Sequence, residues 1–274
     1  MKNQIPYKAL NKPLKLLFNA TIDERGSEDI ENTSRLTYVN ILPSKASFWS
    51  GTQAVQIVRE AAPINTSTDN NADAFVQHAA QALYNLYFKM DFSGMPASLE
   101  QQDKLWQNWM QLRLLLADTY TGDWVNRMLT AIDQKMLPSN NLLQTTMQDI
   151  FFNNYFRNIY EPKFNGGITK VNRTVSGLMP GAVPVQETWQ LNETDKTFEV
   201  KFTGNWRGGN ISELQNKWLK SKSNGNNTHA PQISGSGHFT VNKNTGWCSG
   251  FESTYALYTG DEYEKTITTT LRSA

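Results

Sequence analysis

The sequence has few of the residues on which metal and redox sites depend. Its 274 residues include a single cysteine, Cys248, so no internal disulfide can form. Its three histidines, His78, His229 and His238, lie far apart, and none has a second ligand at the spacing of zinc sites. We therefore expect no metal site and no cofactor.

A surplus charge of one sign and a long hydrophobic run are also missing. Lysine and arginine total 26 against 25 acidic residues, so the chain has no overall field that attracts polyanions, and we expect no nucleic-acid partner. No stretch approaches the roughly 20 apolar residues that cross a bilayer, so we expect no membrane insertion. The single cysteine favours a reducing compartment. We therefore predict a cytoplasmic protein if Met1 is the natural start. If a signal was removed, we predict a periplasmic or exported protein.

Catalytic motifs are incomplete. Gly235-x-Gly237 has Thr240 where a dinucleotide loop requires its third glycine, and a strand is predicted to follow instead of a helix. His238 and Cys248 flank one predicted turn, but a thiolate nucleophile also needs an orienting group and an oxyanion site. We interpret Cys248 as a buried structural thiol and predict that the protein is not an enzyme.

Hydrophobic periodicity changes twice along the chain. Alternate residues are apolar in the first strand-like stretch, from Leu14 to Ile22, and alternation returns after Pro184. Between 98 and 155 the apolar spacing is three and four, which is typical of amphipathic helices. The pattern predicts an α+β fold, with a mostly antiparallel, curved sheet built from both ends of the chain and a central helical block packed on it.

We predict a single domain over residues 1–274. The N-terminal strands occupy 1–71, the helical block with one strand occupies 72–160, and a β-meander with an insertion at 207–235 occupies 161–274. Within the block, Ser98 and Gln101 have the form of a capping box, which predicts that a helix begins there.

Large aromatic residues in the helical block have two interpretations. Trp106, Trp109, Phe151 and Tyr155 stand at helical spacing, which is usual for helices that pack on a sheet. The same residues can line an apolar ligand cavity between helices and sheet. The sequence leaves both interpretations open.

The insertion at 207–235 is the best functional candidate in the sequence. It combines large aromatic side chains with positive charge, and such residue types are typical of protein interfaces. The candidate partner-binding residues are Trp206, Arg207, Trp218 and Lys220. The alternative is a short helix that merely covers a sheet edge.

Two regions resemble a known group of proteins. The first region resembles elements of poorly characterised bacterial proteins that are common in Bacteroidetes. These elements are Leu83-Tyr84, the Asp91 to Gly94 turn, a Trp-bearing helix and an aromatic segment that ends at Tyr160. The segment from Gly235 to Leu271 resembles the β ending of the same group. The resemblance implies an α+β domain and transfers no catalytic residue.

These observations favour a non-enzymatic soluble bacterial protein that binds another protein, as an accessory, adaptor or immunity-type factor. The alternative is a carrier of an apolar small ligand held between helices and sheet.

Overall fold

Strands make up nearly half of the described chain and exceed the helices. The computed structural model describes residues 4–26, 30–44, 52–60, 71–137, 141–209, 211–222, 230–260 and 263–274. The strands are β1 (Leu14–Arg25), β2 (Ile30–Pro43), β3 (Gln53–Glu60), β4 (Asn85–Met90), β5 (Pro96–Glu100), β6 (Ile168–Val175), β7 (Val183–Glu193), β8 (Thr197–Trp206), β9 (Gln232–Asn242), β10 (Cys248–Thr259) and β11 (Tyr263–Ser273). The helices are α1 (Asn71–Ala80), α2 (Gln102–Thr119), α3 (Asp123–Met136), α4 (Leu142–Thr146), α5 (Ile150–Tyr155) and α6 (Glu213–Lys222), and a 3-10 turn covers Gln81–Leu83.

All these strands belong to one antiparallel sheet. Their order is β5-β4-β3-β2-β1-β11-β10-β9-β8-β7-β6, so β5 and β6 are the edge strands. The first and last strands lie side by side, with Phe18 of β1 opposite Leu271 of β11. The predicted antiparallel pairing is thus confirmed. No helix in the described residues is long and apolar enough to cross a membrane.

The predicted α+β architecture, with a central helical block packed on the sheet, is wrong. The chain is mostly one large antiparallel sheet of eleven strands. Residues 72–160 include β4 and β5 as well as helices. The helices are also not covered all round, since on α2 Leu114 is 66% exposed and Leu115 is 61% exposed.

A helix begins close to the predicted capping box, at Gln102, but the capping box itself does not form. Ser98 lies in β5, where its hydroxyl donates to Oε1 of Glu100 at 2.5 Å. Gln101 is itself the residue before α2, and it adopts a left-handed conformation with φ of 55° and no side-chain cap. Ser98 thus belongs to the strand that precedes the helix, and Gln101 precedes α2 without capping it.

By its internal contacts the chain divides into two compact units. The first, called unit 1, comprises Met1–Leu10, Leu16–Leu36 and Gln148–Ala274. One face of its strands is buried, as in β7, where buried and exposed residues alternate along nearly the whole strand. Phe18 of β1 packs edge-on against Phe151 of α5, with ring centroids 5.2 Å apart.

The second, unit 2, comprises Asn11–Lys15 and Thr37–Met147. Its strands bury alternate apolar residues, namely Val39, Ile41, Val55, Ile57, Leu86 and Phe88. In its helices, Leu105, Trp109 and Leu116 of α2 are buried, as are Val125, Leu129 and Met136 of α3.

Candidate interaction surface

One side of α2 carries apolar residues that are partly or largely exposed. Trp106, Met110 and Leu114 follow one another at intervals of four residues, so they lie on one side of the helix. Trp106 is half-buried, Met110 is 37% exposed and Leu114 is 66% exposed. We call these three residues the outer stripe of α2. Leu115, also exposed, projects from the neighbouring side of the helix.

The side of α2 next to the outer stripe holds the helix against α3. The indole Nε1 of Trp109 donates to Oδ1 of Asp133 at 2.8 Å. The guanidinium Nε of Arg113 lies 3.0 and 2.9 Å from the two carboxylate oxygens of Asp133. Since one carboxylate receives two donors from successive turns of α2, it sets the rotation of that helix. The outer stripe is therefore kept on the solvent side.

Carboxylates stand at both ends of the outer stripe. Asp103 lies seven residues before Met110, and Asp118 lies four residues after Leu114, so all four share one side of α2. Both aspartates are exposed, and neither forms an ion pair with another residue in the described part of the chain. Arg113 forms an ion pair with Asp133. Along the helix axis, the outer stripe thus has an acidic residue at each end.

The insertion residues contact different elements of unit 1. Trp206 ends β8 opposite Val185 and is half-buried. Arg207 is exposed, and its backbone N–H donates to the carbonyl of Pro184 at 3.3 Å. Trp218 and Lys220 lie on α6, where Lys220 is exposed and Trp218 is half-buried.

Trp218 has a partner within the chain. Its ring meets the ring of Tyr263 edge-on, with centroids 5.5 Å apart and planes at 86°. Beside it, Lys222 and Lys265 place their Nζ atoms 2.5 and 3.2 Å from the carboxylate of Glu24. Burial raises the pKa of Glu24, but the two lysines outweigh this effect and the net pKa is lowered. Two residues of the insertion, Trp218 and Lys222, therefore hold α6 against β11 and β1.

The four residues proposed for an apolar cavity fall in two units. Trp106 and Trp109 belong to unit 2, and Phe151 and Tyr155 belong to unit 1. The rings of Phe151 and Tyr155 are stacked, with centroids 5.3 Å apart, and both residues are buried. A pocket in unit 2, lined by Leu86, Leu105 and neighbouring polar residues, has a volume of about 10 Å³. This is room for about one water molecule.

A buried polar cluster in unit 1 was not predicted. Arg157 and Glu187 have fully buried side chains, 3.4 Å apart between Nη1 and Oε2. Nη2 of Arg157 donates to the hydroxyl of Tyr255 at 2.6 Å, and this hydroxyl donates to Oε1 of Glu187. Nε1 of Trp189 donates to Oε2 of the same carboxylate at 2.7 Å, and Arg173 lies 3.8 Å from Oε1. Both oxygens of Glu187 are thereby satisfied.

Electrostatics keep this cluster charged. Burial alone raises the pKa of Glu187, but Arg157 and Arg173 outweigh it, and the net pKa is lowered. Burial, with Arg173 nearby, lowers the pKa of Arg157 to about 10, so the guanidinium remains a cation at neutral pH. Its central carbon lies 4.1 Å from the ring centroid of Phe239 and 4.3 Å from that of Phe202, so the two rings also stabilise the cation.

The Gly-x-Gly sequence in β9 gives this cluster its room. A Cβ on Gly235 would stand 2.3 Å from the ring of Tyr255. A Cβ on Gly237 would stand 2.6 Å from the ring of Phe202 and 2.2 Å from the carbonyl oxygen of Glu252. The two glycines thus allow aromatic rings to lie flat on the strand. This explains a motif whose spacing does not fit a nucleotide loop.

One feature of the sequence indicates that a buried charged residue is present in β7. In β7, Val185, Glu187, Trp189 and Leu191 occupy inward positions, and one of these four is charged. A charge at an inward position of a strand requires partners. Its partner Arg157 comes from the segment after α5, and no local pattern connects the two.

The thiol of Cys248 is isolated from a base. Burial raises its pKa to about 12, so it stays protonated at neutral pH. Its β9 neighbour is Val241, whereas His238 stands opposite Glu252. In the described residues, no three side chains of His, Cys, Asp or Glu come together as metal ligands.

The described geometry therefore contains an exposed apolar stripe on α2 and a buried polar cluster in unit 1. Arg157, Glu187 and Tyr255 of the cluster are all buried, so these three residues contact other parts of the protein. No protein-family model and no curated protein matches the chain.

Proposed function

We propose that this protein is a non-enzymatic accessory or adaptor protein that binds another protein through the outer stripe of α2. The observation that carries the proposal is the exposure of Leu114 and Met110 on one side of a helix whose other side is already packed. Exposed apolar side chains that lie together are typical of contact surfaces. The side of α2 that bears them is fixed by Asp133, so the surface exists before a partner arrives.

Carriage of an apolar ligand has less support. Phe151 and Tyr155 are packed against each other and against neighbouring rings, and the pocket beside α2 holds about one water. The charged and aromatic residues of the insertion remain a second candidate contact surface. Of these, Arg207 and Lys220 are exposed, while Trp218 is engaged with Tyr263.

Affinity capture with two matched variants tests the proposal. Leu114→Asp places a charge in the outer stripe, whereas Thr130→Asp places the same charge on an exposed position of α3. In lysate from cells that carry the gene, the unmodified chain and Thr130→Asp should retain the same partner, and Leu114→Asp should lose it. Circular dichroism confirms that both variants are folded. Equal recovery with all three chains would contradict the proposal.

An Arg207→Ala/Lys220→Ala variant separates the two surfaces. Both side chains are exposed, so their removal leaves the described contacts of α6 intact. If partner recovery falls with this variant and not with Leu114→Asp, the insertion is the contact surface and the assignment to α2 is wrong.

A further inference from the structure

We infer that the partner element is an amphipathic helix whose apolar turn is flanked by basic residues. This inference rests on the proposed function of the outer stripe. Its starting point is the order of side chains along one side of α2, namely Asp103, Met110, Leu114 and Asp118. At a rise of 1.5 Å per residue, the two carboxylates stand about 22 Å apart along the axis, with the apolar residues between them.

The shape of the stripe favours a helix as the partner. The stripe is narrow and follows the axis of α2, and a second helix presents its own apolar residues at the same intervals of three and four. Gln107 and Gln111, also exposed on α2, border the stripe with neutral polar groups. Such a border suits the rim of a helix pair.

The charges favour a basic partner. Asp103 and Asp118 form no ion pair within the described chain, and Arg113, the cation next to the stripe, pairs with Asp133. Lys104 is exposed but lies on the neighbouring side of α2, in line with Leu115 instead of Leu114. Lysine or arginine residues on the partner would therefore meet two uncompensated carboxylates, one at each end of the apolar contact.

The same charges disfavour two other occupants. Two copies of this chain, packed stripe to stripe, would bring acidic residues of both copies to both ends of the contact, and like charges repel. A membrane with anionic lipids would likewise repel Asp103 and Asp118.

Two synthetic helical peptides test the inference on the full chain. Both carry leucines at i and i+4, and they differ only in flanking lysines or flanking glutamates. The lysine peptide should bind about tenfold more tightly at low salt, since two exposed ion pairs supply roughly this factor. The preference should disappear in Asp103→Asn/Asp118→Asn and persist in Asp123→Asn, a control at an exposed carboxylate of α3.

The outcomes separate the inference from the proposed function. Equal binding of both peptides, abolished by Leu114→Asp, would overturn the basic partner and leave the contact surface standing. Binding of neither peptide would overturn the helical partner. Peptide binding that Leu114→Asp does not weaken would overturn the role of the outer stripe itself. Sedimentation should show a monomer, and a dimer dissociated by Leu114→Asp would identify a second copy as the occupant.

Discussion

The segment around α5 and the helix α2 use their side chains in opposite ways. The α5 segment buries Phe151, Tyr155 and even the cation of Arg157, for which Glu187 supplies a counter-charge. Helix α2 buries one side and leaves Leu114 and its neighbours in solvent. A buried charge has to be matched by partners or the fold loses stability, whereas an exposed leucine costs the fold little. The first segment therefore serves the structure, and the second is free to serve a contact.

Replacing Arg157 should have the largest effect on stability. Arg157→Met leaves Glu187 charged and buried without its nearest cation, which should lower the free energy of unfolding by about 3–5 kcal/mol. Urea denaturation, followed by tryptophan fluorescence, measures the change. The double variant Arg157→Met/Glu187→Gln should recover part of the loss. If the single variant is as stable as the unmodified chain, the cluster is not a structural element.

A methyl group on β9 should have the next largest effect. Gly237→Ala places a Cβ within 2.2 Å of the carbonyl oxygen of Glu252, so strand or rings must move. Overpacking of this kind costs about 1–3 kcal/mol. Gly26→Ala is the matched control, because nothing lies within 4 Å of its added Cβ, and it should change stability by less than about 0.5 kcal/mol. Equal effects at the two glycines would show that the crowding at Gly237 is irrelevant.

The cluster also predicts a pH dependence. The pKa of Glu187 is lowered in the folded chain, so its contribution to stability is fully present above the pKa of an unfolded glutamate, about 4.3. The contribution is lost as the pH falls from this value through the folded pKa. Glu24, whose pKa is also lowered, acts in the same direction. Stability measured between pH 8 and pH 3 should therefore fall only in the acidic part, and Glu187→Gln should flatten the fall. An unchanged profile in this variant would assign the acid sensitivity to other groups.

The outer stripe should have the smallest effect on stability. Leu114→Asp changes a side chain that is 66% exposed, so the free energy of unfolding should change by less than about 0.5 kcal/mol. Trp109→Phe, on the packed side of α2, removes the hydrogen bond to Asp133 and should cost about 1–2 kcal/mol. Thermal melts compare the two. A large loss with Leu114→Asp would mean that the stripe belongs to the core.

Local patterns predicted much of the sheet and little of the contact surface. The alternation from Leu14 to Ile22 predicted β1, and its return after Pro184 predicted C-terminal strands such as β7 and β8. The prediction did not include β6, because its apolar residues Ile168, Val171 and Val175 do not alternate with polar ones. It also placed the helical block on the sheet, with no indication of which apolar residues of α2 stay exposed. Periodicity shows which residues share a side of a helix, but not whether anything packs against that side.

The pairing of Arg157 with Glu187 shows a second limit. Thirty residues separate the two partners, and only the fold brings them together. The inward charge in β7 could have indicated that a partner exists, but not which residue it is. The two glycines of β9 are evident in the sequence, but the sequence does not show that the rings of Tyr255 and Phe202 pack against them.

Site-specific photo-cross-linking tests the central claim most directly. A photoreactive phenylalanine derivative replaces Leu114 on the outer stripe of α2 or Thr130 on the exposed side of α3. In living cells, the probe at 114 should form one discrete adduct with a partner protein, and the probe at 130 should not. Adducts of the same identity and yield at both positions, or none at 114, would contradict the account of α2 as a contact surface.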